Sequence, residues 1–195
     1  MKNKKKMGLL LLMIAVFALE GCGGQKDTDT ANKTEEKTVA TIQVVDLPEE
    51  SYLTLKDGVY TATGGALQLS VPEGWVVSEE DPTLLLPGKE DETKDFVSVQ
   101  VADKEEVFSK YTKESFEQYY NSIFDNYKAV SFTETTVQGL PAYCLQYEFS
   151  KDDSDITGYE YLIDGNYTYM IGFTDVSGTL KEEMDNILDS VIICK

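Results

Sequence analysis

Leu67-Gln68-Leu69-Ser70-Val71-Pro72-Glu73-Gly74-Trp75 sets the texture of the chain from about residue 50 onward. Its first five residues alternate aliphatic with polar, which places Leu67, Leu69 and Val71 on one face of a strand and Gln68 and Ser70 on the other. Pro72-Glu73-Gly74 then turns the chain. Trp75 follows with the bulk of a core anchor.

The same texture extends in both directions. Upstream, Tyr52 to Leu55 and Val59 to Thr63 flank Asp57-Gly58, a pair that accepts positive φ at low steric cost, and together they predict a hairpin broken by Gly64-Gly65. Downstream, Leu84-Leu85-Leu86 reads as either a short strand or a loop plug between two Pro-containing turns in an acidic stretch, 79–95. Phe96 to Val101 alternates again, with Val97, Val99 and Val101 on one side. Strands are also predicted for Val130 to Val137, Leu140 to Phe149, Ile156 to Ile163 and Tyr167 to Phe173, with turns at Gln138-Gly139 and Asp164-Gly165. Tyr159, Tyr161 and Ile163 on one strand and Tyr167, Tyr169, Ile171 and Phe173 on the next supply cross-strand aromatic neighbours.

Two segments carry a helical period instead. Thr112 is a suitable N-cap, and Phe116, Tyr119, Tyr120, Ile123, Phe124 and Tyr127 recur at helical spacing, so a helix is expected through Tyr127, its aromatic stripe serving either as core or as a groove. Thr179-Leu180-Lys181-Glu182 has the pattern of a capping box, followed by Met184, Ile187, Leu188 and Val191 on one face. Strands in runs with single helices between them argue for an α+β domain, an antiparallel sheet flanked by helices, over residues 50–195.

This order of elements, with Pro72-Glu73-Gly74-Trp75, Gly139-Leu140-Pro141-Ala142-Tyr143 and a terminal helix ending Ser190-Val191, resembles the PsbP-like fold, an α/β/α sandwich. That fold occurs in the extrinsic photosystem II subunit, in a Ran-binding protein and in many small bacterial lipoproteins. The resemblance implies a binding or assembly role and carries no catalytic residues with it.

The first residues have a different logic. Lys2, Lys4, Lys5 and Lys6 precede the apolar run Met7 to Leu19, which reads as a secretory signal over residues 1–21 and falls short of the roughly 20 residues that a spanning helix needs. Leu19-Glu20-Gly21-Cys22 resembles the cleavage box of bacterial lipoproteins, which implies that Cys22 is lipidated and becomes the first mature residue; Glu20 departs from the usual small or apolar residue there. Two acyl chains suffice for stable anchoring on the extracytoplasmic side of the cell membrane. Residues 22–49, polar and without aromatics until the domain begins, read as a disordered tether, with Val39 to Val45 open to reading as an added edge strand. Such a tether reaches roughly 25 to 30 Å.

Composition narrows the chemistry. The chain carries 17 basic residues, all lysine, against 35 acidic ones, a net charge of −18. A polyanion of this kind repels phosphate backbones and has no arginine to read base edges, so no nucleic acid is expected as a partner. With no histidine, the usual general base, the Ser-His and Cys-His pairs and the imidazole ligand of zinc are all missing. Of the three cysteines, Cys144 and Cys194 remain for the domain, either as buried thiols or as a disulfide whose closure contributes about 4 kcal/mol in the chain-entropy model. Asp153-x-Asp155-x-Thr157-Gly158 with Asp164 at the twelfth position loosely fits a calcium loop, against the reading of a solvated hairpin turn. The acidic runs Glu79-Glu80-Asp81 and Glu90-Asp91-Glu92 could face cations or a basic partner, or simply solvate a loop.

These features lead to the expectation of a non-catalytic, membrane-anchored surface lipoprotein without a cofactor, whose domain binds another envelope protein through loops 79–95 and 150–158. The alternative is a protein that binds a small ligand or Ca²⁺ in a pocket between sheet and helix.

Overall fold

The computed structural model describes residues 52–88, 94–104, 107–151 and 154–194. The expected signal peptide, Cys22, the tether with Val39 to Val45, and Glu90 to Glu92 lie outside these residues.

The first hairpin forms as its turn chemistry requires: β1 (Thr54–Lys56) pairs antiparallel with β2 (Val59–Thr61) across Asp57 and Gly58, both at positive φ. After a 3₁₀ turn over Thr63–Gly65, the Leu67 stretch becomes β3 (Leu67–Ser70). There follow β4 (Val76–Val77), β5 (Leu84–Leu86), β6 (Phe96–Ala102), α1 (Val107–Lys110), α2 (Lys113–Tyr120), β7 (Asp125–Val137), β8 (Leu140–Lys151), β9 (Ser154–Asp164), β10 (Thr168–Asp175), α3 (Lys181–Asp189) and β11 (Ile192–Ile193).

Among the described residues the strands make two sheets where the periodicity suggested one. β1, β2, β3 and β11 form a small sheet in that order; the large one runs β4-β5-β6-β10-β9-β8-β7. The small sheet is completed by β11, a two-residue strand too short to show a period, which pairs with β3 at its far edge. Between the sheets lies the main core, where Tyr60, Leu67 and Leu69 meet Val97, Val99, Tyr159, Ile163, Tyr169, Ile171 and Phe173. Trp75 is buried in the same cluster.

Period 2 assigns the two faces of the large sheet to different neighbours. Tyr161 places its hydroxyl 3.9 Å from Met184 Sδ of α3, whereas Glu160 next to it accepts a hydrogen bond from Tyr120 of α2. Helices therefore cover opposite faces of one sheet, and the architecture is an α+β, α/β/α sandwich with a second small sheet on the α3 side.

Three local expectations are corrected. The helix begins at Thr112 as a capped N-terminus, with Ser115 closing the box, but it stops at Tyr120 rather than continuing through Tyr127. The Ser122 hydroxyl donates to the Tyr119 carbonyl, competing with a helical amide, and Asn126 enters positive φ. Tyr127 belongs to β7, which starts five residues ahead of the expected Val130, and its ring still packs, tilted, against Tyr120 at 5.0 Å between centroids.

At α3 the Thr179 capping box does not form: Leu180 occupies the cap position, and the Thr179 hydroxyl pairs with Ser177. Asp175 at the end of β10 takes over, its Oδ1 accepting from the Gly178 and Leu180 amides. A carboxylate from the preceding strand suits the positive end of a helix and competes with the threonine. Finally, α1 has only four residues and carried no periodic signal.

Gly158 marks the tightest packing in the large sheet. The ring of Tyr147, its register neighbour on β8, lies across the glycine, and a Cβ there would fall within the ring. Gly158→Ala is expected to cost about 1–3 kcal/mol by overpacking, read as a lowered urea midpoint with an unchanged slope.

Candidate functional site

The chemically distinctive position is Glu160, at the centre of β9. On that strand Ile156, Gly158, Glu160 and Leu162 share the α2 face, and the register sets Glu160 between Leu145 of β8 and Gly172 of β10. Only 5 % of the residue is exposed. Above it are the rings of Tyr120, Tyr127 and Tyr147, at centroid separations of 5.0 to 6.3 Å; Tyr147 stacks on the other two, which are tilted against each other. Phe124 and Phe149 extend the cluster toward the open end of β8. Tyr120 donates to Glu160 Oε2 at 3.3 Å. The Tyr127 hydroxyl is buried with no hydrogen-bond partner among the described residues.

Burial dominates the electrostatics. It pushes the Glu160 carboxyl up to about 7, with the Tyr120 hydrogen bond pulling weakly the other way. The same desolvation, reinforced by the Glu160 carboxyl, raises the Tyr120 and Tyr147 hydroxyls well above the usual phenol range. For Tyr127 burial comes first, followed by the Tyr147 and Glu160 charges. A carboxyl poised near neutrality is the raw material of acid–base chemistry. Here it faces packed rings instead of a cleft.

Glu160 is not among the candidate residues that the sequence singled out. A usable signal was present: a lone carboxylate in phase with Ile156 and Leu162 on a strand flanked by strands on both sides.

The calcium arrangement does not survive folding. Asp155 opens β9 opposite Ser150, and Asp164 closes the same strand opposite Thr168. Nine residues of extended chain separate them by about 30 Å, so the two cannot share an ion; Asp153 is outside the described residues. Asp164 instead forms an ion pair with Lys104, whose Nζ also donates to the Gly165 carbonyl at 2.8 Å.

Cys144 and Cys194 are free thiols, one in mid-β8 of the large sheet and the other beyond β11, its amide bound to the Ala66 carbonyl of the small sheet. Burial raises the pKa of both. The acidic turn is partly structural as well, since Asp81 Oδ1 accepts from the amide and hydroxyl of Thr83, while Glu79 and Glu80 are exposed. Of the expected contact loops, 154–158 is strand, and 79–95 contains β5.

A shallow cleft of about 180 Å³ opens at the β6 end of the molecule, lined by Thr63, Gly64, Ala66, Val101, Ala102, Asp103 and Tyr167. It lies between sheets rather than between sheet and helix. Tyr167 is among the most exposed large apolar side chains described.

No family model matches the chain, and no curated protein matches it either. Among solved structures it is similar to the cyanobacterial PsbP protein CyanoP from Synechocystis, at 12 % identity and a TM-score of 0.50, over 80 % of this chain and 98 % of that one. The fold is PsbP-like. Less close in shape are Mycobacterium tuberculosis LpqN, described as involved in cell envelope biogenesis (13 % identity, 65 % and 82 % coverage, TM-score 0.43), and PA94 of Pseudomonas aeruginosa (14 %, 61 % and 83 %, 0.41). At 12 % identity the likeness to CyanoP is one of fold.

Proposed function

We propose that the chain is an extracytoplasmic lipoprotein, anchored through Cys22, whose PsbP-like domain is a non-catalytic binding or assembly module for another envelope protein. The observation that carries the non-catalytic reading is the burial of Glu160. The carboxyl best tuned for proton transfer is packed beneath Tyr120, Tyr127 and Tyr147 and opens onto no cleft in this structure. The anchoring reading rests on the residues around Cys22. No helix among the described residues is long and apolar enough to cross a membrane.

A second reading, a binder of a small ligand, draws on the cleft beside Tyr167. At about 180 Å³ that cleft falls below the roughly 300 Å³ at which drug-sized ligand sites begin. It suits a smaller molecule.

The test is cross-linking in cells with the native protein and its Cys22→Ala form, each tagged and recovered. Cys22→Ala is expected to leave the membrane fraction, and one envelope protein should be enriched with the anchored form. Retention of Cys22→Ala in the membrane would overturn the anchor. Recovery without an enriched protein from either form would overturn the module reading in favour of the cleft.

A further inference from the structure

We propose that α2 and the turn after it, 113–124, form a flap held closed over the aromatic face of the large sheet while Glu160 is uncharged, and that ionisation of Glu160 releases it. This goes beyond the functional reading above and does not depend on it.

The flap is built to be separable. At eight residues α2 is too short to persist alone, so its helicity depends on the packing of Phe116 and Tyr120 against the sheet. Its first turn is capped from within by Thr112 and Ser115. Beyond its other end, Asn126 sits at positive φ, and β7 breaks register with β8 between Asp125 and Lys128 and again between Ala129 and Ser131. Those bulges place a hinge where the flap joins the sheet.

The latch is equally local. Tyr120 is the flap residue that stacks on Tyr127 and Tyr147 and hydrogen-bonds Glu160. A charged Glu160 would face one long hydrogen bond and ring edges in a dry setting, a costly arrangement unless water reaches it. Lifting α2 hydrates the carboxylate and the unpartnered Tyr127 hydroxyl together.

Among the described residues, burial and the Tyr120 hydrogen bond are what act on the Glu160 carboxyl. From α2 the titratable groups nearby are Tyr120 and Glu117, from β7 Tyr127 and from β8 Tyr147. Facing positions on β10 are Met170, Gly172 and Thr174, and on β6 Ser98 and Gln100, all neutral. Lys113 is turned to the Val130 carbonyl at 3.4 Å, and Lys110 of α1 lies over the Tyr111 ring. Because burial pushes the carboxyl up to about 7, the release falls within an ordinary physiological range.

Hydrogen exchange by mass spectrometry on the full-length chain in detergent, from pH 5 to 8 and corrected for intrinsic rates, tests the flap. The opening equilibrium of 113–124 should rise about tenfold per pH unit between 5 and 7 and level off by 8, while β9 and β10 amides stay flat. Glu160→Gln should abolish the rise. Tyr120→Phe keeps the ring but removes the hydrogen bond, and should move the plateau to higher pH. A flat wild-type profile, an unchanged rise in Glu160→Gln, or a parallel rise in β9 and β10 would each overturn the proposal.

Discussion

Replacing Asp95 with alanine is expected to lower the stability of the domain by about 3–5 kcal/mol, as measured by urea unfolding at neutral pH. Asp95 stands just before β6, 4 % exposed. Its Oδ1 accepts from the Val176 amide at 2.7 Å and the Ser177 amide at 2.9 Å, and the Ser177 hydroxyl donates to Oδ2. Both amides belong to the connection from β10 to α3, so one side chain ties a central strand to the helix that covers the core. Truncation removes the acceptor of two backbone donors and a hydroxyl at the half-buried Val176 and the exposed Ser177, and with it the tie between β6 and the start of α3. Asp95→Asn, which retains one carbonyl oxygen, should recover about half of the loss. An alanine variant within 1 kcal/mol of wild type, roughly the value of one ordinary hydrogen bond, would show that solvent replaces these contacts.

The second large effect concerns Glu160 and has a definite sign. A carboxyl near its usual value when unfolded, but at about 7 when folded, holds its proton more tightly in the native state. Native protein then binds more protons than unfolded protein between pH 4.5 and 7, so this group makes stability fall as pH rises through that window and constant above it. A shift of this size corresponds to about 3 kcal/mol. Glu160→Leu, which needs no proton and fills a similar volume, should match wild type near pH 5 and exceed it by about 3 kcal/mol at pH 8. Thermal or urea melts across the range decide it; a variant no more stable at pH 8 than at pH 5, relative to wild type, would mean the carboxyl is already solvated in the folded protein.

The two predictions bear on how the chain encodes its fold. Asp95 and Glu160 are single carboxylates in a strongly acidic sequence; the phase of Glu160 with Ile156 and Leu162 marks the face it lies on, but nothing local says what covers that face or what Asp95 meets. What decides both is the company that distant residues keep with them. Asp95 meets amides about 80 positions later, and Glu160 meets a tyrosine 40 positions earlier.

Other features were open to direct reading. Asp57-Gly58 and Gln138-Gly139 both adopt the positive φ that a tight hairpin demands. The alternation in Leu67 to Val71, Val97 to Val101 and Tyr159 to Ile163 placed each set on a buried face. The aromatic spacing from Phe116 to Tyr127 correctly brought those rings together, although a helix supplies one part of the cluster and a strand the other.

The sequence by itself determined the strand faces, the hairpin turns and the acidic, histidine-free chemistry. Each of these follows from backbone period, local φ preference or simple composition, none of which needs a distant partner. Only the tertiary structure decided where α2 stops, which aspartate caps α3, that Asp155 and Asp164 stand at opposite ends of one strand, and that Glu160 is sealed under tyrosines. Those outcomes depend on desolvation and register across three strands and a helix, and both are set by residues far apart in the chain.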